Sequence, residues 1–231
     1  IPAIINPLDR HALEAALQIR EAVSGRVTVI SMGPPQARAA LEEALATGAD
    51  RAVLLSDRAF GGADTLATAR TLAAAIRRLC PWDVVLCGNE TVDGATAQVA
   101  PQLAEMLGVP HAAQVQRVEV EGQSLQVERA LENGYVKLLL KPPCLLAVGR
   151  GVNRPRLPTV IGIMEAASKE LLTWGLGDLG LSPQQVGLDG SAIRVVDVVA
   201  LGSGRRREVF TGSAPEAVKA AVRRLVEMEA L

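Results

Sequence analysis

The densest run of chemically capable residues in this 231-residue chain is Asn89–Gln98, NETVDGATAQ. Asn89, Thr91, Asp93, Thr96 and Gln98 can hydrogen-bond, and Gly94, Ala95 and Ala97 are small enough to let a ligand approach closely. The residues C-terminal to the run set its use. Leu103, Met106 and Leu107 recur at helical spacing, and Gly108 stands where a helix commonly stops. Pro101 is tolerated only in a first helical turn, so the helix is predicted to begin between Ala97 and Ala100. A loop with free N–H groups beside the positive end of a helix favours an anion such as a phosphate. Before the loop, Asp83–Cys87 is a short apolar run closed by Gly88, as in a strand covered on both faces.

Elsewhere the chain offers little chemistry. No GxGxxG follows a strand and no GxxxxGK[ST] is present. His11 and His111 are too isolated for a metal site, and His11 reads as a helix-surface residue. No serine sits in a nucleophile-elbow context. The carboxylates mostly fall on helix faces, where solvation is the default. No catalytic or metal-binding residue is therefore expected. The pattern fits a nucleotide holder or an electron carrier whose cofactor does the chemistry.

Composition narrows the class. The chain is 49% hydrophobic and only 2% aromatic, so its core is mostly alanine, leucine and valine, with few rings to stack on bases. A net charge of −1 gives no bulk attraction for nucleic acid. Arg205-Arg206-Arg207 is read as a solvated loop in preference to an anion contact. Cys80, Cys87 and Cys144 fit no zinc or redox spacing, and two lie in apolar runs, which points to buried thiols and a reducing, cytoplasmic compartment. No apolar run reaches the roughly 20 residues that span a bilayer.

The elements that would hold the loop alternate regularly. Asp9 opens a helix lined by Ala12, Leu13, Ala16, Leu17, Ile19 and Val23. Arg26–Ser31 reads as a strand, Gln36–Thr47 as a helix and Arg51–Leu55 as a strand. Asp64 then caps a third helix. After Gly108, strands are expected at 113–120, 124–129, 135–140 and 144–148, with tight turns at Glu121-Gly122 and Asn133-Gly134. A short helix at 159–169, a strand at 170–174, a loose stretch at 175–190, a late strand at 193–200 and a helix at 214–228 complete the chain.

The fold class is α/β: a mostly parallel, doubly wound sheet with helices on both faces, antiparallel additions and a C-terminal extension. Residues 1–175 form the nucleotide-binding domain and 176–231 an extension expected to pack on a partner. Ligands in such sheets bind beyond the carboxyl ends of the strands. The Ser31–Gly33 turn, the Ser56–Gly62 loop and the Asn89–Gln98 loop all lie there. The Asn6–Asp9 turn joins them only if a strand precedes it.

The residues now resemble a known family. Asn6-Pro7-Leu8-Asp9 with ALEAAL, Ser31-Met32-Gly33-Pro34, ATGADRAVLL, PRLPTVIGIMEA, Gly177–Leu181 and above all Asp93–Val99 resemble the electron transfer flavoprotein beta subunit. The likeness covers essentially the whole chain. It implies a heterodimer with an alpha subunit that carries FAD, and a beta-subunit site for AMP or a second FAD. By position that site would comprise Asn6, Pro7, Leu8, Asp9, Met32, Gly88, Asn89, Glu90, Thr91, Val92, Asp93, Gly94, Ala95, Thr96, Ala97, Gln98 and Val99, with Thr96, Gln98 and the loop N–H groups on the phosphates.

The Asp93-Gly94 and Thr96–Val99 wording resembles the electron-bifurcating branch, which implies FAD as cofactor and NADH as a hydride source, more than the AMP-holding branch. Two departures stand out. Family members usually carry a central strand before the Asn-Pro turn, which the given sequence lacks. The segment after Met164 is often basic in the family but is here Glu165–Lys169. Docking of an acyl-CoA dehydrogenase-like partner would then rest on Val160 and Ile161. The competing classes are a non-redox nucleotide-binding module, expected to be colourless, and a stand-alone enzyme, ranked last.

Overall fold

A computed structural model describes residues 4–197, 199 and 207–228. The chain divides into two units, 1–194 and 195–231. In the first, α1 (Pro7–Val23) leads to β1 (Thr28–Met32), α2 (Arg38–Thr47), β2 (Arg51–Leu55), α3 (Thr65–Arg78), β3 (Val84–Gly88) and α4 (Val99–Leu107). β4 (His111–Glu121), β5 (Ser124–Leu131), β6 (Gly134–Leu140) and β7 (Cys144–Val148) come next. α5 (Val160–Ala166), β8 (Glu170–Trp174) and α6 (Leu176–Leu179) complete the unit.

The strands form two hydrogen-bonded sheets, β1-β2-β8 and β3-β7-β4-β5-β6. Pairing is parallel in the first, and parallel for β3 with β7 and β4 with β7. It is antiparallel for the β4-β5-β6 addition. The fold is thus the expected mostly parallel, doubly wound arrangement, divided between two ladders where the sequence predicts one sheet.

Two helices bridge the ladders. α1 sends Leu13 and Leu17 into the cluster with Ala52 and Leu54 of β2, and Ala12 into the cluster with Leu146 and Val148 of β7. On the opposite face α3 places Ala69 and Ala73 against Leu145 and Ala147, and Ala75 against Val53 and Leu55. The small alanines let both helices lie close to the strands, and burial of this apolar surface stabilises the layer at roughly 25 cal/mol per Å2.

Segment 176–194 belongs to the first unit, where Val186 is fully buried against Phe60 and Val53. The stretch expected to be loose therefore contains α6 and a 3-10 turn at Pro183–Gln185. The expected late strand does not form among the described residues: 193–197 and 199 are irregular, and Ile193, Val195, Val196 and Val199 are exposed. β-branched residues favour a strand only where a neighbouring strand and a buried face are available.

In the second unit α7 spans Ala214–Glu227. The Glu216 carboxylate accepts from the N–H and hydroxyl of Ser213, as the capping-box spacing predicts. Arg205 and Arg206 lie outside the described residues.

Candidate functional site

The expected loop follows β3 and leads into α4, which starts at Val99 with Pro101 in its first turn. Residues 90–96 are exposed. The first α4 amide to close an intrahelical bond is Gln102, onto the Gln98 carbonyl at 3.2 Å. The Val99 and Ala100 N–H groups precede it and have no helical acceptor. Ala95 and Ala97 adopt φ of 46° and 53°. Side chains rarely occupy this left-handed region, which costs about 1 kcal/mol or more per residue and recurs at ligand clamps.

The loop is lashed to the start of α1. The Asp9 carboxylate accepts from the Gly88 N–H at 2.6 Å and from Asn6 Nδ2 at 2.9 Å. Asn6 Nδ2 also donates to the Glu90 carbonyl at 3.0 Å, and Asn6 Oδ1 accepts from the Val92 N–H at 3.3 Å. Pro7 takes the first helical position of α1, where its missing N–H costs nothing. Leu8 presses on Gly88: a Cβ at Gly88 would lie 2.7 Å from Leu8 Cβ and 3.0 Å from the Asp9 nitrogen. Only glycine permits this approach of helix to strand. Burial, then the nearby Asp9 charge, pushes the adjacent Cys87 thiol up to about 12, so it is no nucleophile at neutral pH.

Asn89 is buried, and its Oδ1 accepts from the Gln114 N–H at 3.0 Å. Gln114 has φ of 58° and lies where the β4 register shifts. Asn89 thereby joins the loop to a β4 irregularity, and its N–H donates to the Val148 carbonyl at 2.9 Å.

The outward members are Glu90, Thr91, Val92, Asp93, Gly94, Ala95, Thr96 and Gln98, with Ala97 and Val99 half-buried. Asp93 is held below the ordinary carboxylate range by a hydrogen bond from the Thr91 side chain and then by the Gly94 N–H. Its charge is engaged within its own turn. Gln98 Oε1 accepts from the Thr65 hydroxyl at 3.4 Å, which brings the start of α3 to the loop. Met32 is the outlying member: it ends β1 and packs beside Phe60 and Val186.

The loop thus presents neutral donors, with acidic side chains and no basic one. The described residues contain no group of three or more His, Cys, Asp or Glu able to hold a metal ion. An anionic ligand here would be met by N–H groups, Thr96, Gln98 and the α4 N-terminus.

Sequence reasoning misses a second set of residues. Glu14 falls among the carboxylates expected to be solvated but is only 5% exposed. Arg156 Nε donates to Glu14 Oε2 at 2.7 Å and Arg156 Nη2 to Glu14 Oε1 at 3.0 Å, while Nη1 reaches Glu21 at 2.7 Å. Burial acts to raise the Glu14 pKa, but the Arg156 hydrogen bonds and charge outweigh it and hold the carboxyl below its usual value. His11 Nδ1 lies 3.0 Å from Asn153 Oδ1, and Asn153 Nδ2 donates to the His11 carbonyl at 2.9 Å. The available signal is Glu14 beside Leu13 in the apolar stripe of α1.

Comparison with known proteins places these features in a family. Residues 1–179 match the electron transfer flavoprotein domain. The chain is 50% identical over 226 residues to the electron transfer flavoprotein subunit beta of Thermoanaerobacterium thermosaccharolyticum, spanning 97% of this chain and 86% of that protein. It is 44% identical to caffeyl-CoA reductase-Etf complex subunit CarD of Acetobacterium woodii, across 92% of this chain and 82% of that one. Protein FixA of Azorhizobium caulinodans is 43% identical, across 87% and 74%.

Proposed function

The chain belongs to the electron transfer flavoprotein family as a member of its beta-subunit branch, with a role in electron transfer, and from that premise we propose that Gly88–Val99 and Asn6–Asp9 hold FAD. One observation carries this reading. A loop whose residues 90–96 are exposed, with two alanines at positive φ, enters the start of α4, where the Val99 and Ala100 N–H groups have no helical acceptor, and is fixed from behind by Asn6 and Asp9. Such a preformed helix N-terminus suits a phosphate or diphosphate.

Thr96, Gln98 and the loop N–H groups would bind the phosphates. Asn6, Asp9 and Asn89 are turned into the protein and would act by setting the loop's shape. Met32, Pro7 and Leu8 would line or support the site. FAD, when bound, supplies hydride and single-electron chemistry. The chain's own part is to bind, orient and shield.

We take the bifurcating mode, between NADH or a dehydrogenase and further redox partners, on the wording of Asp93–Val99. An alpha subunit completes the heterodimer, and the extension packs on it. The exposed apolar residues Val218, Val222 and Leu225 of α7 support such a contact. Val160 and Ile161, both exposed, dock an acyl-CoA dehydrogenase-like redox partner. No described helix is long and apolar enough to cross a membrane. The unpaired Cys80, Cys87 and Cys144 support a cytoplasmic site of action.

Co-expression with the alpha subunit, followed by flavin and AMP quantification, tests the proposal. A second FAD and no AMP per heterodimer is the expected result. One FAD with one AMP overturns the bifurcating reading in favour of an AMP-holding subunit. A colourless protein with its partner present overturns the electron-carrier reading in favour of a non-redox nucleotide-binding module.

A further inference from the structure

Resting on the docking reading above, we propose that Arg156 is a positioning residue for the redox-partner surface, tying the loop that carries Leu157 and leads into Val160 and Ile161 of α5 to the middle of α1. The loop between β7 and α5, residues 149–159, contains no helix or strand. An irregular stretch of this length is ordinarily mobile. Here it is fastened at two points to one helix. Asn153 bonds both the ring and the carbonyl of His11. Arg156 grips Glu14 with two guanidinium nitrogens and its own N–H, and reaches Glu21 with the third nitrogen. The planar fork matches the carboxylate in a way that lysine cannot. Pro155 and Pro158 flank this grip and stiffen the chain on either side.

The residue immediately after Arg156 is Leu157, 78% exposed. Val160, Ile161, Ile163 and Met164 of α5 are also exposed, so this short helix turns most of its apolar side chains outward. Its other face is held to α2. Gly162 lies so close to the Ala46 carbonyl that a Cβ would sit 2.2 Å from that oxygen. Lys169 Nζ donates to the Leu45 and Ala49 carbonyls, both at 2.9 Å. α2 therefore fixes the far end of the surface, and the Arg156–Glu14 pair fixes the near end. An apolar surface held in one shape binds a protein without the cost of ordering it first. Freeing its near end should weaken partner binding and leave the nucleotide loop alone.

The test uses the reconstituted heterodimer with an acyl-CoA dehydrogenase-type flavoprotein as protein partner and dichlorophenolindophenol as a small acceptor that needs no docking. The variants are Arg156→Gln, Arg156→Lys and the double variant Glu14→Gln/Arg156→Gln, which leaves no buried carboxylate orphaned. Should Arg156→Gln fail to fold, the double variant carries the same test.

The expected result is a rise in KM for the protein partner of roughly tenfold, with kcat, dye reduction and flavin content within about twofold of the parent. Arg156→Lys should recover part of the loss. Amide exchange should quicken at 157–164 and stay unchanged at 88–99. An unchanged partner KM in the folded double variant overturns the proposal, as does a parallel fall in partner and dye rates. A parent heterodimer that reduces the dye but never engages the protein partner overturns the docking reading itself, a separate outcome from failure of the Arg156 variants.

Discussion

Two loops follow neighbouring parallel strands, β3 and β7, whose last residues pair as Gly88 with Val148. Both are tied to α1, yet they are built in opposite ways. Loop 89–98 turns polar groups outward and uses Asn6, Asp9 and Asn89 as inward ties. Loop 149–159 turns Asn153 and Arg156 inward, onto His11, Glu14 and Glu21, and leaves Leu157 outside with Arg150 and Arg154. The first surface offers hydrogen-bond donors and suits a charged small molecule. The second offers apolar side chains and suits a protein. Where a loop's polar groups are satisfied thus decides what it can receive, even when strand, helix and position are shared.

The largest disturbance should come from Gly88→Ala. Its Cβ would collide with Leu8 and the Asp9 nitrogen. Overpacking there should cost about 3 kcal/mol in denaturant unfolding and deplete bound nucleotide. Retention of full nucleotide content would remove the close approach from the argument. Gly162→Ala should cost about 2 kcal/mol by prising α5 from the Ala46 carbonyl. It should raise partner KM and spare nucleotide binding, so the two glycine variants separate the two loops by readout.

Asp9→Asn replaces a charge-assisted acceptor of the Gly88 N–H with an amide oxygen. A loss of about 1.5 kcal/mol is expected, with nucleotide affinity falling roughly tenfold by equilibrium dialysis. Partner KM should not move.

Acid titration sharpens the other side. The Glu14 pKa is lowered in the folded state, so its stabilising effect is complete above the ordinary carboxylate value of 4.5 and is lost as pH falls through the lowered folded value. The thermal midpoint of Glu14→Gln should therefore depend less on pH below 4.5 than that of the parent. Equal slopes would mean that the Arg156 pair contributes nothing. The smallest effect is expected for Ala97→Gly. Relief of its positive φ and the greater freedom of the unfolded chain should cancel to within about 0.5 kcal/mol, with nucleotide binding weakened only a few-fold.

Much of this is legible in the sequence. Arg51–Leu55 forms a strand with those same limits because burial on both faces leaves an unbroken apolar run. Pro101 fixes the start of α4 because few positions accept a proline, and Asp64 caps α3 through the Ala67 N–H. The family likeness identifies the loop that faces outward, but it cannot separate residues that face a ligand from those that shape the loop. Asn6 and Asp9 read as binding residues, and their bonds run to Gly88, Glu90 and Val92, more than 75 positions away.

Glu14 is illegible for the same reason, since its partner Arg156 is 142 residues distant. The expected strand at 193–200 fails among the described residues, where β-branched residues alone have to speak for a missing neighbour. Local spacing reports elements and caps, whereas long-range polar pairing depends on how the chain closes on itself.

The most direct test of the contrast between the loops is amide hydrogen exchange on the heterodimer, with nucleotide and redox partner added separately. Nucleotide should protect 88–99 and leave 157–164 unchanged, while the partner protein should protect 157–164 and leave 88–99 unchanged. Protection of one segment by both additions, or an exchange of the two patterns, would contradict the division of labour drawn from Asn6, Asp9, Glu14 and Arg156.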